Sequence, residues 1–178
     1  MLKILSRLMG KERSVIIDAR RLYQKTMEQS RTSVFYGTDL CADSTDGRME
    51  ILCMHLSTIM FALRAHGDMG ARLTQAIYDV MIADFDVALR EEGLADTGVS
   101  RRIKPLANLF FVRAKAYAEA FEATDDTHEL VQAIIKQHVC KDGNPDVFVT
   151  YTVDFSNNLQ GQSLGEIAQG KLNFPKFH

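Results

Sequence analysis

Two consecutive segments of this chain read as helices that are apolar on nearly every side. In residues 46–66 only Glu50, Ser57 and Arg64, at seven-residue intervals, form a polar stripe, and every other direction is mostly apolar. A short glycine-containing turn joins this segment to a second helical segment, residues 71–92. Helices that are apolar all round belong in a protein interior, so the pattern predicts a buried antiparallel helical hairpin at the centre of the fold.

Asp84 is the exception within the second of these helices. At about 100° per residue, the residues on its side of the helix are aliphatic: Leu73, Ile77, Val80, Met81, Val87 and Ala88. A carboxylate in such surroundings needs a cation or hydrogen-bond donors, or it stays protonated. We therefore expect an internal salt bridge or hydrogen bond from Asp84, with Arg113 or His55 as its partner. The alternative is that this helix is one wall of a cleft.

Composition indicates one soluble domain with a substantial core. The chain has 178 residues, of which 46% are hydrophobic and 25% charged. A net charge of −2 provides no basic face, so direct nucleic-acid binding is not expected. Three widely separated cysteines indicate a reducing compartment, with the thiols serving as small hydrophobic groups. The longest apolar stretch, residues 51–63, is too short and too polar to span a bilayer.

The N-terminal residues 1–13 are predicted to form an extension to a single helical domain, residues 14–178. Lys3 and Arg7 lie there among apolar residues, without the long apolar core of a secretion signal. The extension is either an amphipathic foot on an anionic membrane surface or a helix end that packs on its own domain or frays. We expect a cytoplasmic protein, with peripheral association to the inner membrane as an open alternative.

Further helices are indicated around the hairpin, for a total of six to seven in an all-α domain. They are predicted at 14–30, 100–123, 125–139 and 163–169. Residues 146–156 are ambiguous, because their β-branched and aromatic residues alternate as in a strand. The preceding Asn144-Pro145-Asp146 is a good helix opening, however, and helix is the favoured interpretation.

Basic residues cluster at the predicted start of the helix over 100–123. Arg101, Arg102 and Lys104 would meet an unfavourable helix dipole there, so an acidic partner is expected. Pro105 would lie in the first turns of that helix, where proline is tolerated best.

Common catalytic and metal-binding patterns are missing from the sequence. It has no Glu-x-x-His, no His-x-x-x-His, no glycine-rich phosphate loop and no nucleophile elbow. Asp79 and Asp86 point away from Asp84 around their helix, so the three cannot converge on one ion. An exposed pair of Asp86 with Arg90 and a hydrogen-bonded core His55 are the simpler interpretations. We predict no catalytic, metal or cofactor site.

Several segments form a pattern along the chain: Tyr36-Gly37, Asp46-Gly-Arg-Met-Glu-Ile-Leu-Cys-Met-His55, Asp79-Val-Met-Ile-Ala-Asp-Phe-Asp-Val-Ala-Leu-Arg-Glu-Glu-Gly93, Gly98-Val-Ser-Arg-Arg-Ile-Lys104, Phe110-Phe-Val-Arg113, Ala116-Tyr117 and Gly170-Lys-Leu-Asn-Phe-Pro175. In this order they resemble the ubiquinol-cytochrome c chaperone family. The Asp-x-Asp-x-x-Leu-Arg-Glu run is the most specific of them. One departure is Phe111-Val112-Arg113, where the family tends to have Tyr-Gly-Arg, which bears on the packing of that helix.

The resemblance implies an all-helical, non-enzymatic assembly factor of the short bacterial form, without a targeting extension. Mitochondrial members bind newly made cytochrome b and, with a small partner protein, help to build the complex that oxidises ubiquinol. They also associate with the mitochondrial ribosome at its tunnel exit. We do not carry the ribosome and small-partner interactions over to this chain, because its sequence has no basic arm.

A membrane-helix client needs an apolar surface to shield it, with polar groups at the rim to fix its register. Partner-binding residues are predicted on the helices over 71–92 and 100–123: Asp79, Asp84, Asp86, Arg90, Arg101, Arg102, Lys104, Arg113 and Tyr117. The alternative function is that of a helical adaptor or cofactor-binding protein that uses a polar cleft around Asp84.

Overall fold

The computed structural model describes the backbone of residues 2–123 and 128–178, and side chains from residue 12 onward within those ranges. Throughout the described ranges the regular elements are helical and no strand forms. The α-helices are α1 (Leu2–Ser30), α2 (Thr45–Leu63), α3 (Gly67–Glu91), α4 (Asp96–Glu122), α5 (Glu129–Ile134), α6 (Asp146–Gln160) and α7 (Leu164–Ala168). Short 3-10 turns cover Ser33–Phe35 and Arg64–His66, and a π-helical turn, Ile135–Val139, follows α5. The all-α prediction is confirmed.

Helix α2 is the centre of the fold. Fourteen of its 19 residues are buried, and it packs against α1, α3, α4 and α6. A helix that is apolar all round has no face for solvent, so its neighbours enclose it from several sides. Ser44 caps its N-terminus by accepting a hydrogen bond from the Gly47 amide at 3.1 Å. The prediction of a buried central helix is confirmed over residues 46–63, whereas residues 64–66 form a 3-10 turn without a buried residue.

Helix α3 is an outer helix rather than the second half of a buried hairpin. Its buried residues are five out of 25: Gly70, Leu73, Ile77, Met81 and Leu89. Val87 is 53% exposed and Asp84 is also exposed, although both belong to the apolar side of the predicted helix. The predicted burial is wrong for this half, because α3 packs mainly against α1 and most of its other residues remain partly or fully exposed.

The turn between α2 and α3 depends on a close backbone approach. A Cβ atom at Gly70 would lie 1.9 Å from the Leu63 carbonyl oxygen, well inside van der Waals contact. Gly67, at φ +56, takes a left-handed conformation that glycine adopts without strain. These two glycines allow α3 to start directly after the 3-10 turn.

Helix α4 starts at Asp96, four residues before the predicted start. Arg101, Arg102 and Lys104 therefore lie beyond its first turn, and Asp96 supplies the acidic residue that the helix dipole favours. All three basic residues are exposed, and none of the ion pairs between described residues involves them. Pro105 is in the helix interior, not its first turns, so the Arg101 carbonyl loses its helical donor. The expected acidic partner is thus not found among the described residues.

Helix α6 settles the ambiguity over 146–156 in favour of helix. Phe148, Tyr151, Phe155 and Leu159 form its buried face at spacings of three and four residues. The Asn144 side chain accepts a hydrogen bond from the Asp146 amide at 3.0 Å and helps to open the helix. The alternation of β-branched and aromatic residues indicated a strand, but several of these residues also share one face of a helix.

The N-terminal extension and the predicted helix over 125–139 lie partly outside the described residues. Helix α1 is continuous from Leu2, without a break near residue 14, but the side chains of Lys3 and Arg7 are not described. The membrane-foot hypothesis therefore stays a prediction. Nowhere in the described part of the chain does a helix have both the length and the apolar composition needed to cross a bilayer.

Candidate functional site

A long groove separates α1 from α3 and has a volume of about 840 Å³. Its walls are Ile16, Arg20, Tyr23, Gln24, Met27, Glu28 and Arg31 on one side and Ala76, Asp79, Val80, Ala83, Asp84 and Val87 on the other. Spacings of three and four residues place each set on one face of its helix. At 1.5 Å per residue the walls run for about 16–22 Å. The groove is therefore long enough to take several turns of a helix.

Apolar side chains on both walls remain open to solvent. Ile16 is 45% exposed on α1 and Val87 is 53% exposed on α3, while Met27 and Val80 are only partly buried. Single exposed aliphatic residues are common on protein surfaces. Facing residues in one groove form a contiguous apolar surface, however, and such surfaces mark binding sites.

The α3 wall of the groove is acidic, and the α1 wall carries both signs of charge. Asp79 and Asp84 lie on α3, and Arg20, Glu28 and Arg31 lie on or next to α1. Asp79 accepts a hydrogen bond from the Gln75 side chain at 2.8 Å. Neither arginine takes part in an ion pair between described residues. The charged groups at the rim are therefore positioned to orient a partner whose apolar side enters the groove.

Asp84 is tied to Tyr23 across the groove. The Tyr23 hydroxyl donates a hydrogen bond to Asp84 Oδ2 at 2.7 Å. Burial and the nearby carboxylate raise the pKa of Tyr23 well above its usual value, so the hydroxyl keeps its proton and remains a donor. The predicted hydrogen bond is present but it is not internal, because Asp84 is exposed and lines the groove, in agreement with the alternative of a cleft wall. The expected partners, Arg113 and His55, are wrong. Helix α1 packs beside this part of α3, and both expected partners are bonded elsewhere.

Arg113 belongs to a separate site between α2 and α4, where Glu50, Arg113 and His138 line a second cavity of about 730 Å³. Its Nε and Nη2 donate to the two carboxylate oxygens of Glu50, each at 2.7 Å, and both side chains are nearly buried, at 13% and 11% exposure. Nη2 also donates to His138 Nδ1 at 3.0 Å, which requires a neutral ring with its proton on Nε2. Burial, and then the charge of Arg113, lower the pKa of His138 and favour that neutral form.

His55 is a hydrogen-bonded core residue, as predicted. Its Nδ1 lies 2.9 Å from the Ile51 carbonyl and 3.1 Å from Ser30 Oγ, and its Nε2 lies 2.8 Å from the Tyr151 hydroxyl. Complete burial lowers its pKa to about 4. The ring therefore stays neutral at physiological pH, since no carboxylate contacts it.

The remaining predicted site residues lie in other places. Asp86 accepts from Arg90, which also donates to Asp96, in an exposed network at the C-terminal end of α3. Tyr117 is 1% exposed, and its hydroxyl has no hydrogen-bond partner among the described residues. Of the predicted set, only Asp79 and Asp84 line the α1–α3 groove.

Sequence reasoning missed the whole α1 wall of the groove. The available signal was Ile16, which shares a face of α1 with Tyr23 and Met27 and so widens the apolar stripe of that helix. A stripe that is wider than one core contact requires indicates a second contact surface. Tyr23 could not have been paired with Asp84 from sequence, because 61 residues separate them.

The cysteines and acidic residues do not form a metal site in the described ranges. No group of three or more His, Cys, Asp or Glu side chains converges there. The thiols of Cys41, Cys53 and Cys140 are buried, and burial raises the pKa of each, to about 11 for Cys41. They remain protonated and pack as small hydrophobic groups, as predicted.

The fold and groove define an all-helical domain whose candidate site is an open surface between two helices. A family model described as ubiquinol-cytochrome C chaperone matches residues 41–174. The chain is also similar to a crystal structure of the Cbp3 homolog from Brucella abortus, with a TM-score of 0.79 and 25% identity, over 98% of this chain and 97% of that chain. A search of curated proteins finds no significant match. The chain belongs to the ubiquinol-cytochrome c chaperone family.

Proposed function

We propose that this protein binds newly made cytochrome b in the α1–α3 groove and assists assembly of the ubiquinol–cytochrome c reductase complex without catalysing a reaction. Family membership supports a role as a chaperone in this assembly. The choice of site rests on the groove itself, in which Ile16 on one wall and Val87 on the other are each about half exposed. A membrane protein that has not yet been inserted or assembled needs its apolar helices shielded from water.

The chemistry of the groove suits a helix with one apolar face. Its length of about 16–22 Å corresponds to about 11–15 residues of helix, which is part of a membrane span. Aliphatic side chains such as Val80 and Met27 would contact the client, while Arg20 and Asp79 would meet polar groups at its edges. Cytoplasmic location with peripheral contact to the inner membrane would bring this surface close to such a client.

The test is the level of assembled cytochrome b in membranes of a strain that lacks the gene. We expect assembled cytochrome b to fall and the wild-type gene to restore it. Ala83→Arg introduces a charged side chain into the α3 wall of the groove, so it should not restore cytochrome b. Ala71→Arg is the matched control, because Ala71 is an exposed alanine of the same helix outside the groove.

Photo-crosslinking identifies the contact directly. A benzophenone side chain at Val87 should crosslink newly made cytochrome b, and the same group at Ala71 should not. Unchanged cytochrome b in the deletion strain, together with absent crosslinks, would reject the assembly role. A different protein or a cofactor captured specifically at Val87 would favour the adaptor or cofactor-binding alternative.

A further inference from the structure

The outward face of α4 combines exposed basic and exposed apolar side chains. Residues 97–118 contain five basic residues and no acidic one, although the whole chain has a net charge of −2. At about 100° per residue, seven exposed residues of this segment fall within about 120° of the helix circumference and span about 21 Å. They form the α4 basic face: Arg101, Lys104, Pro105, Asn108, Phe111, Val112 and Lys115.

The cations of this face are hardly neutralised within the protein. Arg101 and Lys104 are exposed and take part in no ion pair between described residues. Lys115 Nζ lies 3.7 Å from Glu119 Oε1, but both side chains are more than half exposed, so this pair contributes little. Arg113, by contrast, is the basic residue of the segment that turns inward. The positive charge of the face is therefore available to an anionic surface.

Two large apolar side chains lie among these cations. Phe111 is 55% exposed and Val112 is 50% exposed. The Phe111 ring lies 4.8 Å from the Tyr78 ring, centre to centre, and this contact helps to hold it at the surface. Helices that lie on anionic membranes have this composition, because the cations attract the headgroups while the apolar side chains enter the acyl boundary.

The shape and chemistry of the face favour a membrane surface over a protein partner. The exposed side of a single helix is convex, whereas peptides and small ligands are usually bound in grooves and pockets. Lysine is depleted at protein interfaces, yet Lys104 and Lys115 flank the apolar pair along the helix. The surface of a membrane with anionic lipids is broad and negatively charged, so it meets all of these cations together.

We propose that the α4 basic face attaches this protein to a membrane surface that contains anionic phospholipids. Arg101, Lys104 and Lys115 interact with the phosphate headgroups, and Phe111 and Val112 enter the boundary between headgroups and acyl chains. The inference rests on the proposed function for its purpose, which is to hold the groove beside a membrane client. Helix α4 forms neither wall of the α1–α3 groove, so lipid and client bind at separate surfaces.

The first test is co-sedimentation of the full-length protein with vesicles. Phosphatidylcholine vesicles that contain phosphatidylglycerol should bind it, and vesicles of phosphatidylcholine alone should bind it much less. The double variant Arg101→Gln with Lys104→Gln should weaken binding about 25-fold, which corresponds to about fivefold for each cation removed. Lys136→Gln with Lys176→Gln is the matched control, because it removes the same charge from exposed residues outside α4 and should bind nearly as well as the wild-type protein.

The second test detects entry into the lipid. The chain contains no tryptophan, so Val112→Trp places a single fluorescent reporter on the α4 basic face. Its emission should shift to shorter wavelength on vesicles with phosphatidylglycerol, and brominated lipids should quench it. Val34→Trp is the matched control, since Val34 is an exposed valine outside α4 and should show neither change. All substituted positions are exposed, so the fold should be retained, which circular dichroism verifies.

Absence of binding to the anionic vesicles would overturn the proposal. Equal binding by the α4 double variant and its control would also overturn it, because the attraction would then be general or belong to another segment such as residues 1–13. Binding without an emission shift at residue 112 would do the same. If vesicles are not bound but the α4 double variant fails to restore cytochrome b in the deletion strain, the face serves an acidic protein partner instead. Vesicle binding is measured without cytochrome b, so its failure is distinguishable from failure of the proposed function.

Discussion

The α2–α4 interface and the α1–α3 interface contrast within one small domain. The first contains a nearly buried ion pair, in which Arg113 donates hydrogen bonds to both carboxylate oxygens of Glu50 at the wall of a cavity. The second opens into a groove, in which Asp84 is exposed and has a single hydrogen bond from Tyr23. The same residue types therefore serve different purposes on the two sides of the core.

The difference separates the interface whose substitution should affect stability from the groove proposed to bind a partner. A buried pair is costly to break, because the remaining charge has neither water nor a partner. An exposed carboxylate that loses its partner is hydrated instead. We therefore expect substitutions near α2 to affect folding and substitutions in the groove to affect partner binding.

The largest expected effect is on the α2–α4 interface. Glu50→Ala leaves the nearly buried Arg113 guanidinium with the neutral His138 ring as its remaining partner, and should lower the free energy of unfolding by about 3 kcal/mol. Urea unfolding measures this loss. The double variant Glu50→Leu with Arg113→Met should recover much of it, because no charge is then left unpaired. A loss below about 1 kcal/mol for Glu50→Ala would mean that the pair is effectively hydrated.

The second effect is a pH dependence that arises from His55. Its folded pKa, about 4, is depressed below its ordinary value of 6.5, so the folded state resists protonation that the unfolded state accepts. The contribution of the neutral His55 to the free energy of unfolding is fully present above about pH 6.5. It falls by about 3 kcal/mol as the pH drops to about 4. Urea unfolding at several pH values checks this expectation.

His55→Gln is the reference for that experiment, since residue 55 no longer titrates while a polar side chain remains. The difference in unfolding free energy between the wild-type protein and this variant isolates the histidine from the carboxylates that titrate in the same range. A pH-independent difference would contradict a neutral, buried His55 and weaken the contrast between a dry core and an open groove.

A smaller effect is expected in the groove. Tyr23→Phe removes the hydrogen bond to Asp84 and should cost about 1 kcal/mol in thermal unfolding, because the exposed carboxylate regains water. Asp84→Asn keeps an acceptor oxygen and should cost less. A loss from Tyr23→Phe as large as that from Glu50→Ala would remove the distinction between the two interfaces.

The smallest effect is expected at the exposed network on α3. Asp86→Ala breaks the contact with Arg90, which keeps Asp96 as a partner, so the stability should change by no more than about 0.5 kcal/mol. Thermal unfolding at low and high salt measures the change, and any loss should shrink as salt screens the pair. A loss of stability above about 1 kcal/mol that does not depend on salt would mean that this network is shielded from solvent, as the Glu50–Arg113 pair is.

The amino-acid sequence by itself determined the helices and the depth of the central one. Helix α2 is apolar all round, so it had to be enclosed wherever its neighbours came from. The same information indicated that His55 is a core residue and that the three cysteines pack as hydrophobic groups. Periodicity and composition are sufficient for these predictions, because they show that a residue is buried without showing which helix covers it.

Only the tertiary structure decided which side chains meet. Asp84 was singled out by its aliphatic neighbours, yet its bond to Tyr23 depends on α1 packing beside α3. Arg113 had Glu50 and His138 available once α2, α4 and the π-helical turn came together. Contacts between side chains that are tens of residues apart depend on how their helices cross. The periodicity within one helix gives no information about its crossing with another helix.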